Sequence, residues 1–400
     1  MEELLTKGED PNTSKRIMAT KTLADVIEAL LAAAYVDGGM PKALVCLRTL
    51  LHDLPWLDVE ECHSILHDHA KADVPLPATL QPVEQLIGYS FKKKSLLIEA
   101  LTHASYIGPT ATSLERLEFI GDSVLDHIVV SRLFNVDPPL PHWKMHRLKT
   151  AMVNGDFQAF LVMERCIWQE TANVTENEEP EKASPRPSRW SLERSEFKQP
   201  LWAFMRHSSS GIAIEQEVAK RKHAALREQI IQELNSGRNY PWGLLSRLQA
   251  RKFYSDLFES LLGAVWVDSG SMEACEAFLT KFGLLGYLDH ILEADVHVTH
   301  PKEEIGSLAG NNTVDYDIEM KESQDGTKRF SCKVVVGGLV IAEVDDGVDR
   351  EEVRKRAAEK AVRLMKEERD EQDEKEMERN GMAMAMDIDQ VQAAPGVRSI

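Results

Sequence analysis

The residues in this sequence best suited to chemistry are two pairs of acids and one lysine. In LERLEFIGDSVLDHIV (residues 114–129), Glu118 and Asp122 lie four apart and so share one face of a helix. Leu117, Ile120, Val124, Leu125 and Ile128 mark the buried stripe of the same helix. In KFYSDLFESLLGAVWVDSGSMEAC (252–275), Asp256 and Glu259 lie three apart on a second apolar helix, with Lys252 one turn before Asp256. Packing these helices together gathers four carboxylates. An oxygen-only set suits a hard divalent cation such as Mg²⁺, with Mn²⁺ as a substitute, rather than zinc. One or two such ions can activate a water and stabilise the leaving oxygen of a phosphodiester. Lys252 would offset the carboxylate charge or meet a phosphate. The competing reading is that Glu118 and Asp122 merely cap their helix or pair with Arg116 and Arg132. Against it stand the like charges at i, i+4, Gly121 in mid-helix at about 1 kcal/mol relative to Ala, and a second apolar helix carrying a second acid pair.

The elements that must position these groups include a repeat. KTLADVIEALLAAAYVDGGMPKAL (21–44) aligns with 252–275 at a constant offset of 231, with ten of 24 positions identical. Lys21, Asp25, Glu28, Asp37 and Gly39 match Lys252, Asp256, Glu259, Asp268 and Gly270. Core packing alone would preserve apolar character, not this polar register. The chain therefore holds two copies of one helical unit, with Gly38-Gly39 and Ser269-Gly270 as helix stops.

Around the repeats, 58–70 reads as a short polar helix whose His63, His67 and His69 belong to a solvated face rather than a metal site. VPLPATLQP (74–82) is a linker. Residues 83–168 are apolar-periodic and helical. Residues 170–200, polar and Pro-rich, read as a loop or disordered insertion. A charged helix over 212–236 follows, with VAKRKHAALRE (218–228) a solvated face or a basic binding face. Asn-Tyr-Pro-Trp (239–242) breaks it, and helix resumes over Leu244–Val267. From 314 the pattern alternates. KRFSCKVVV and LVIAEV flank Gly337-Gly338 as a hairpin, and a basic helix spans 349–368. That order makes a small α+β domain. The acidic, then Met/Ala-rich tail (369–400) reads as disordered.

The length of 400 residues suggests two or three domains. A formal charge of −18 argues against nucleic-acid binding by bulk charge but leaves room for a local basic face. Five scattered cysteines form no CxxC pair, which suggests neither a zinc site nor a disulfide framework. No run of 18 apolar residues is present and the N-terminus lacks a signal-peptide pattern, so no membrane span and an intracellular, cytoplasmic or nuclear, location are expected.

ERLEFIGDSVLD (115–126), K-x-x-x-D-x-x-E-S followed by Asp-x-Gly, and LTHASY (101–106) together resemble the motifs of ribonuclease III. The resemblance covers most of residues 83–285 and implies an all-helical nuclease hydrolysing double-stranded RNA with Mg²⁺. It places Glu118, Asp122, Asp256 and Glu259 at the four metal-binding acids, with Lys252 beside them. His103, within LTHASY, is expected to be a hydrogen-bonded core histidine. Two such units followed by a small α+β domain resemble the C-terminal part of a Dicer, and WAFMRH and NYPWGLL are similar to segments of fungal Dicer-like proteins. This implies small-RNA production in gene silencing and antiviral defence.

The expected layout is the C-terminal half of a first unit (1–73), a linker (74–82), a complete second unit (83–290) with an insertion at about 170–245, a domain resembling the double-stranded-RNA-binding domain (297–368), and the tail. Nothing in residues 1–20 resembles ERLEFIGD. Lys21, Asp25 and Glu28 are therefore expected to be a vestigial site, the chain a fragment, a truncated product or a misplaced start, and its first helices a brace for the second unit. Pairing of units, within the chain or as a homodimer, is implied. In the last domain the family's phosphate-contacting Lys run is degraded to Gly347-Val348-Asp349-Arg350-Glu351-Glu352-Val353-Arg354. Arg350, Arg354 and Lys355 remain as candidate RNA contacts. The alternative to a nuclease is a non-catalytic RNA-binding or scaffold relic.

Overall fold

The computed structural model describes the chain outside residues 1–18, 73, 109–111, 178–188, 323–327 and 393–400. It forms two units, Met1–Ala70 and Lys71–Ile400.

The first unit contributes α1 (Thr20–Leu50) and α2 (Val59–His69). Gly38 and Gly39 leave helical geometry inside α1, Gly39 at φ +66°, so α1 is two helical segments across a kink with Pro41 opening the second. Asp58 caps α2 by accepting the Glu61 N–H. Neither helix buries a residue. His63 and His67 stack their rings 5.8 Å apart on a half-exposed face. By length and composition α1 is apolar enough to cross a membrane, with a mean hydropathy of 1.3 over its richest stretch. It carries Lys21, Asp25, Glu28 and Asp37, and ten of 24 of its positions are identical to a helix that the second unit buries in its core.

The second unit begins with α3 (Gln81–Ile87), α4 (Lys94–Ala100), α5 (Glu115–Phe134), α6 (His142–Met152) and α7 (Gly155–Glu164). An antiparallel hairpin follows, β1 (Cys166–Asn177) with β2 (Arg189–Pro200), paired from Cys166↔Pro200 to Asn177↔Arg189. This corrects the reading of 170–200 as an unstructured insertion. The flanks carry β-branched and aromatic residues (Ile167, Trp168, Thr171, Val174, Trp190, Phe197) that suit a strand whatever the overall polarity, and the Pro-rich centre at 178–188 lies outside the described residues.

Next come α8 (Ser210–Ser236), α9 (Trp242–Ser246), α10 (Phe253–Ser269), α11 (Met272–Phe282) and α12 (Leu284–Glu293). The expected helix over Leu244–Val267 is interrupted at 247–252, where Gln249 adopts φ +47°. Its side-chain amide donates to Asp349 at 2.9 Å and its carbonyl accepts from Lys222. Tertiary hydrogen bonds thus override local helical periodicity. α10 is the core of this unit: Tyr254, Leu257, Phe258, Leu261, Leu262 and Val265 are fully buried, packed chiefly against α5, α7 and α4. Gly270 at φ +67° ends it, in the position that Gly39 holds in the first copy.

The chain closes with α13 (Pro301–Ala309), the antiparallel sheet β3 (Val314–Glu322), β4 (Lys328–Val336), β5 (Leu339–Gly347) in that order, and α14 (Arg350–Gln392). Gly337 and Gly338, at φ +57° and +85°, make the two-residue turn between β4 and β5. Ile305, Cys332, Val334, Val353, Ala357 and Ala361 form its core. The architecture is mainly helical packing, interrupted by the β1–β2 hairpin, followed by a small α+β domain. The tail differs: α14 continues to Gln392 where disorder was expected. Glu, Lys, Arg, Met and Ala dominate that stretch, all strong helix formers, and Lys375 pairs with Glu371 one turn away at 3.3 Å. Residues 393–400 lie outside the described residues.

Candidate active site

The site forms where α5 crosses α10. The crossing is close because of two glycines. A Cβ on Gly121 would sit 1.8 Å from the Glu259 carbonyl oxygen, and one on Gly263 would sit 2.1 Å from that of Leu117. Gly121, costly in an isolated helix, is therefore demanded by backbone-to-backbone contact. That contact sets the acids of one helix against those of the other.

Carboxylate oxygens of Glu118, Asp256 and Glu259 lie within 4.8 Å of one another, the one such acid, His or Cys group among the described residues. Lys252, just ahead of α10, bridges two of them, with Nζ 2.5 Å from both Glu118 Oε1 and Asp256 Oδ1. The lysine is 74% exposed whereas Glu118 and Asp256 are 20% and 15% exposed. Asp122 lies outside the trio on the exposed rim, close enough for its charge to act on Glu259. The competing partners are engaged elsewhere. Arg116 binds Glu99, and Arg132 binds Asp289 at 2.8 Å.

The electrostatics follow from this crowding. Burial pushes Glu259 up to about 7; repulsion from Asp122, Asp256 and Glu118 adds to the rise, and a hydrogen bond from Gln158 opposes it. Burial likewise lifts Asp256 to about 6; its Lys252 bond lowers it and Glu118 raises it. Asp122 is raised by partial burial, then by Asp126, with Lys149 pulling the other way. Burial disfavours the charged Lys252, but hydrogen bonds to Asp256 and Glu118 outweigh it and hold the ammonium above its usual range. The three close acids are a donor set matched to a hard divalent cation, and the Lys252 ammonium offsets part of their charge. Their mutual repulsion is what such an ion relieves.

Two participants have weak signatures in the sequence. Gln158, fully buried on α7, donates to the Val153 carbonyl at 3.4 Å and lies near enough to Glu259 to favour its ionised form, and its Oε1 has no partner among the described residues. It is the one polar residue in FQAFLVM (157–163), which is the trace a reader could have followed. Lys149 pairs with Asp126 at 2.6 Å, one turn beyond Asp122. His103 is a hydrogen-bonded, partly buried histidine: Nδ1 accepts the Ser105 N–H at 3.0 Å, and the ring lies edge-on to Phe253. LTHASY is laced to WAFMRH, with Arg206 over the Tyr106 ring and its N–H bonded to Leu101 O at 2.7 Å.

In the first unit, Lys21 pairs with Asp25 at 2.9 Å on an exposed surface, and Glu28 completes no acid cluster among the described residues. The candidate RNA contacts separate. Arg350 is exposed and unpaired among the described residues. Arg354 pairs with Glu351 at 2.7 Å and lies over Tyr316. Lys355 is spent on Asp156 at 3.0 Å. On α8, Lys222, His223 and Arg227 are likewise engaged, by Gln249 and Glu164, leaving Lys220 and Arg221 outward.

Residues 115–270 match the ribonuclease III domain, and residues 294–392 match the double-stranded-RNA-binding domain of Dicer-like protein 2. A Dicer-like protein 2 of Cryphonectria parasitica is 44% identical over 383 residues, 92% of this chain and 26% of that protein. One from Pyricularia oryzae is 43% identical over 386 residues, 90% of this chain and 25% of that protein. The chain thus spans about a quarter of the length of these relatives. Among solved structures, the nuclease domain of ribonuclease III from Campylobacter jejuni aligns at 23% identity and a TM-score of 0.30, over 51% of this chain and 96% of that one. Dicer from Pichia stipitis aligns at 15% and 0.26, over 68% and 95%.

Proposed function

We propose that this chain, which matches the ribonuclease III domain over residues 115–270 and the double-stranded-RNA-binding domain of Dicer-like protein 2 over residues 294–392, hydrolyses phosphodiester bonds of double-stranded RNA at the α5–α10 crossing. The observation that carries this reading is the trio Glu118, Asp256 and Glu259 held within 4.8 Å at a partly open rim. Glu118, Asp256 and Glu259 would hold Mg²⁺ or Mn²⁺, with Asp122 at its edge. When bound, such an ion supplies an activated water and stabilises the leaving oxygen. The chain's own residues do the rest. Gln158 orients Glu259, and Lys252, freed from its two carboxylates, reaches a phosphate oxygen. The small domain reads the duplex by shape and 2′-hydroxyls. We further propose that the products serve gene silencing and antiviral defence, a reading supported by the likeness to Dicer-like protein 2.

One complete acid site cuts one strand. Cutting both strands requires a second such site, as another copy of this chain would supply. Phe119, Val130 and Phe134 recur on one face of α5 and are 78%, 45% and 54% exposed, a seam suited to such pairing. The alternative of a non-catalytic RNA-binding or scaffold protein draws support from the engaged basic residues of α14. A labelled duplex incubated with Mg²⁺ separates the readings. Cleavage should be lost in Asp122→Ala and Glu259→Ala. Binding without any cleavage by the unaltered chain would favour the scaffold.

A further inference from the structure

The start of α14 faces the nuclease domain. Lys355 Nζ meets Asp156 Oδ2 of α7 at 3.0 Å, and the two side chains are only 17% and 23% exposed. One turn on, Glu359 accepts the backbone N–H of Gly243 on α9 at 2.6 Å. Gly243 has no side chain to hold the helix away: a Cβ there would lie 2.3 Å from Glu359 Oε2 and 3.0 Å from Arg356 Cγ. Asp349, at the head of α14, accepts from Gln249 at 2.9 Å. Around this seat, Arg147 of α6 binds Glu303 of α13 at 2.7 Å, and the Trp242 ring meets His300 edge-on at 4.8 Å. The connecting strand is pinned too, with Tyr240 N–H on His297 O and His297 N–H on Arg238 O, each 2.9 Å.

We propose that the first three turns of α14 are a clamp that seats the small domain on the nuclease body. Lys355 and Glu359 are interface residues holding Asp156 and Gly243, not contacts to RNA phosphate. The inference rests on reading residues 294–392 as a double-stranded-RNA-binding domain, and it reassigns the surface which that reading would give to RNA. α7 also gives the seat a functional reach. Asp156 takes the clamp, and Gln158, two residues on and so turned to the other side of the helix, lies near enough to Glu259 of the acid cluster to favour its ionised form. The position of the small domain is thereby fixed relative to the site that cuts.

The test uses the whole chain with Lys355→Ala, Asp156→Ala and the exchange Asp156→Lys/Lys355→Asp. One readout needs no RNA: the rate of limited proteolysis between the two domains, near residues 293–295. Both single variants should be cut about tenfold faster, and the exchange should restore resistance. The second readout is binding of a fluorescent 25-base-pair duplex over a salt series without divalent metal. Lys355→Ala should keep its affinity within about twofold and its salt slope unchanged. A phosphate contact would behave differently, because losing it lowers affinity severalfold and reduces the slope by about one. That result in Lys355→Ala but not in Asp156→Ala would overturn the clamp. So would single variants that are no more susceptible to protease, or an exchange that fails to restore resistance. Failure of the unaltered chain to bind duplex would count against the RNA-binding reading and leave the proteolysis result to decide the clamp.

Discussion

At the scale of single residues, the burial of the acid cluster, with mutual repulsion adding to it, makes its behaviour pH-dependent. Folding raises Glu259 to about 7 and Asp256 to about 6. A carboxyl raised by folding binds its proton more tightly in the folded chain. Its contribution to stability is therefore complete below an unfolded value of about 4 and is lost as pH climbs through 6 to 7. Calorimetry of the metal-free protein should show Tm falling between pH 5 and pH 8. Glu259→Gln should flatten that fall and raise Tm at pH 8 by a few degrees, consistent with roughly 1 kcal/mol, while abolishing cleavage. A Tm profile identical to the unaltered protein would mean that Glu259 carries no such strain. Because metal binding requires deprotonated ligands, the Tm gain from added Mg²⁺ should grow from pH 6 to pH 8. Gln158→Leu removes a donor that favours ionised Glu259, so the Mg²⁺ concentration for half-maximal cleavage at pH 7 should rise severalfold. An unchanged requirement would sink that role. The convergence of Glu118, Asp256 and Glu259 was readable because helical spacing and a repeated lysine announce it, whereas the place of Asp122 outside the trio was not. Gln158 was not, since one amide in an apolar run has no periodicity to betray its partner.

At the scale of elements, the α5–α10 crossing depends on the missing side chains at Gly121 and Gly263. Alanine at either position must push two helix backbones apart, because the obstructing atoms are carbonyl oxygens and not flexible side-chain ends. Either substitution should destabilise by about 3 kcal/mol or more, the upper end of overpacking, and abolish cleavage through misplacement of the acids. Gly286, exposed in α12 with nothing within 4 Å of a built Cβ, provides the contrast. Gly286→Ala should stabilise by about 0.5–1 kcal/mol through helix propensity alone. Urea melts of the three variants check the set. The elements whose pattern arises from burial, α5, α10 and the β4–β5 hairpin, were legible in the sequence. The polar hairpin β1–β2, the break at 247–252 and the continuation of α14 were not. Backbone pairing, long-range hydrogen bonds to Gln249 and propensity without an apolar face shape those, and none leaves a hydrophobic period.

At the scale of the whole molecule, the exposed seam of Phe119, Val130 and Phe134 predicts self-association through α5. Phe119→Asp should shift the chain to monomer in sedimentation velocity and turn double-strand cuts into nicks; retained nicking shows that the acid site survived. The same seam unchanged in mass after substitution would remove the pairing model. The repeat was legible from sequence as shared letters, but its two copies do different work. Asp268 is buried and accepts from the Tyr89 hydroxyl and the backbone N–H groups of Lys92 and Lys93, each at 2.8 Å. Asp37, its counterpart, pairs with Lys42 on an exposed surface. Inherited variation in this chain should therefore be graded unequally at positions that look alike. Loss of the Asp37 carboxylate is a surface polymorphism within about 0.5 kcal/mol. The same change at Asp268 strands three donors, costs on the order of 3 kcal/mol, and would surface in a population as a null allele.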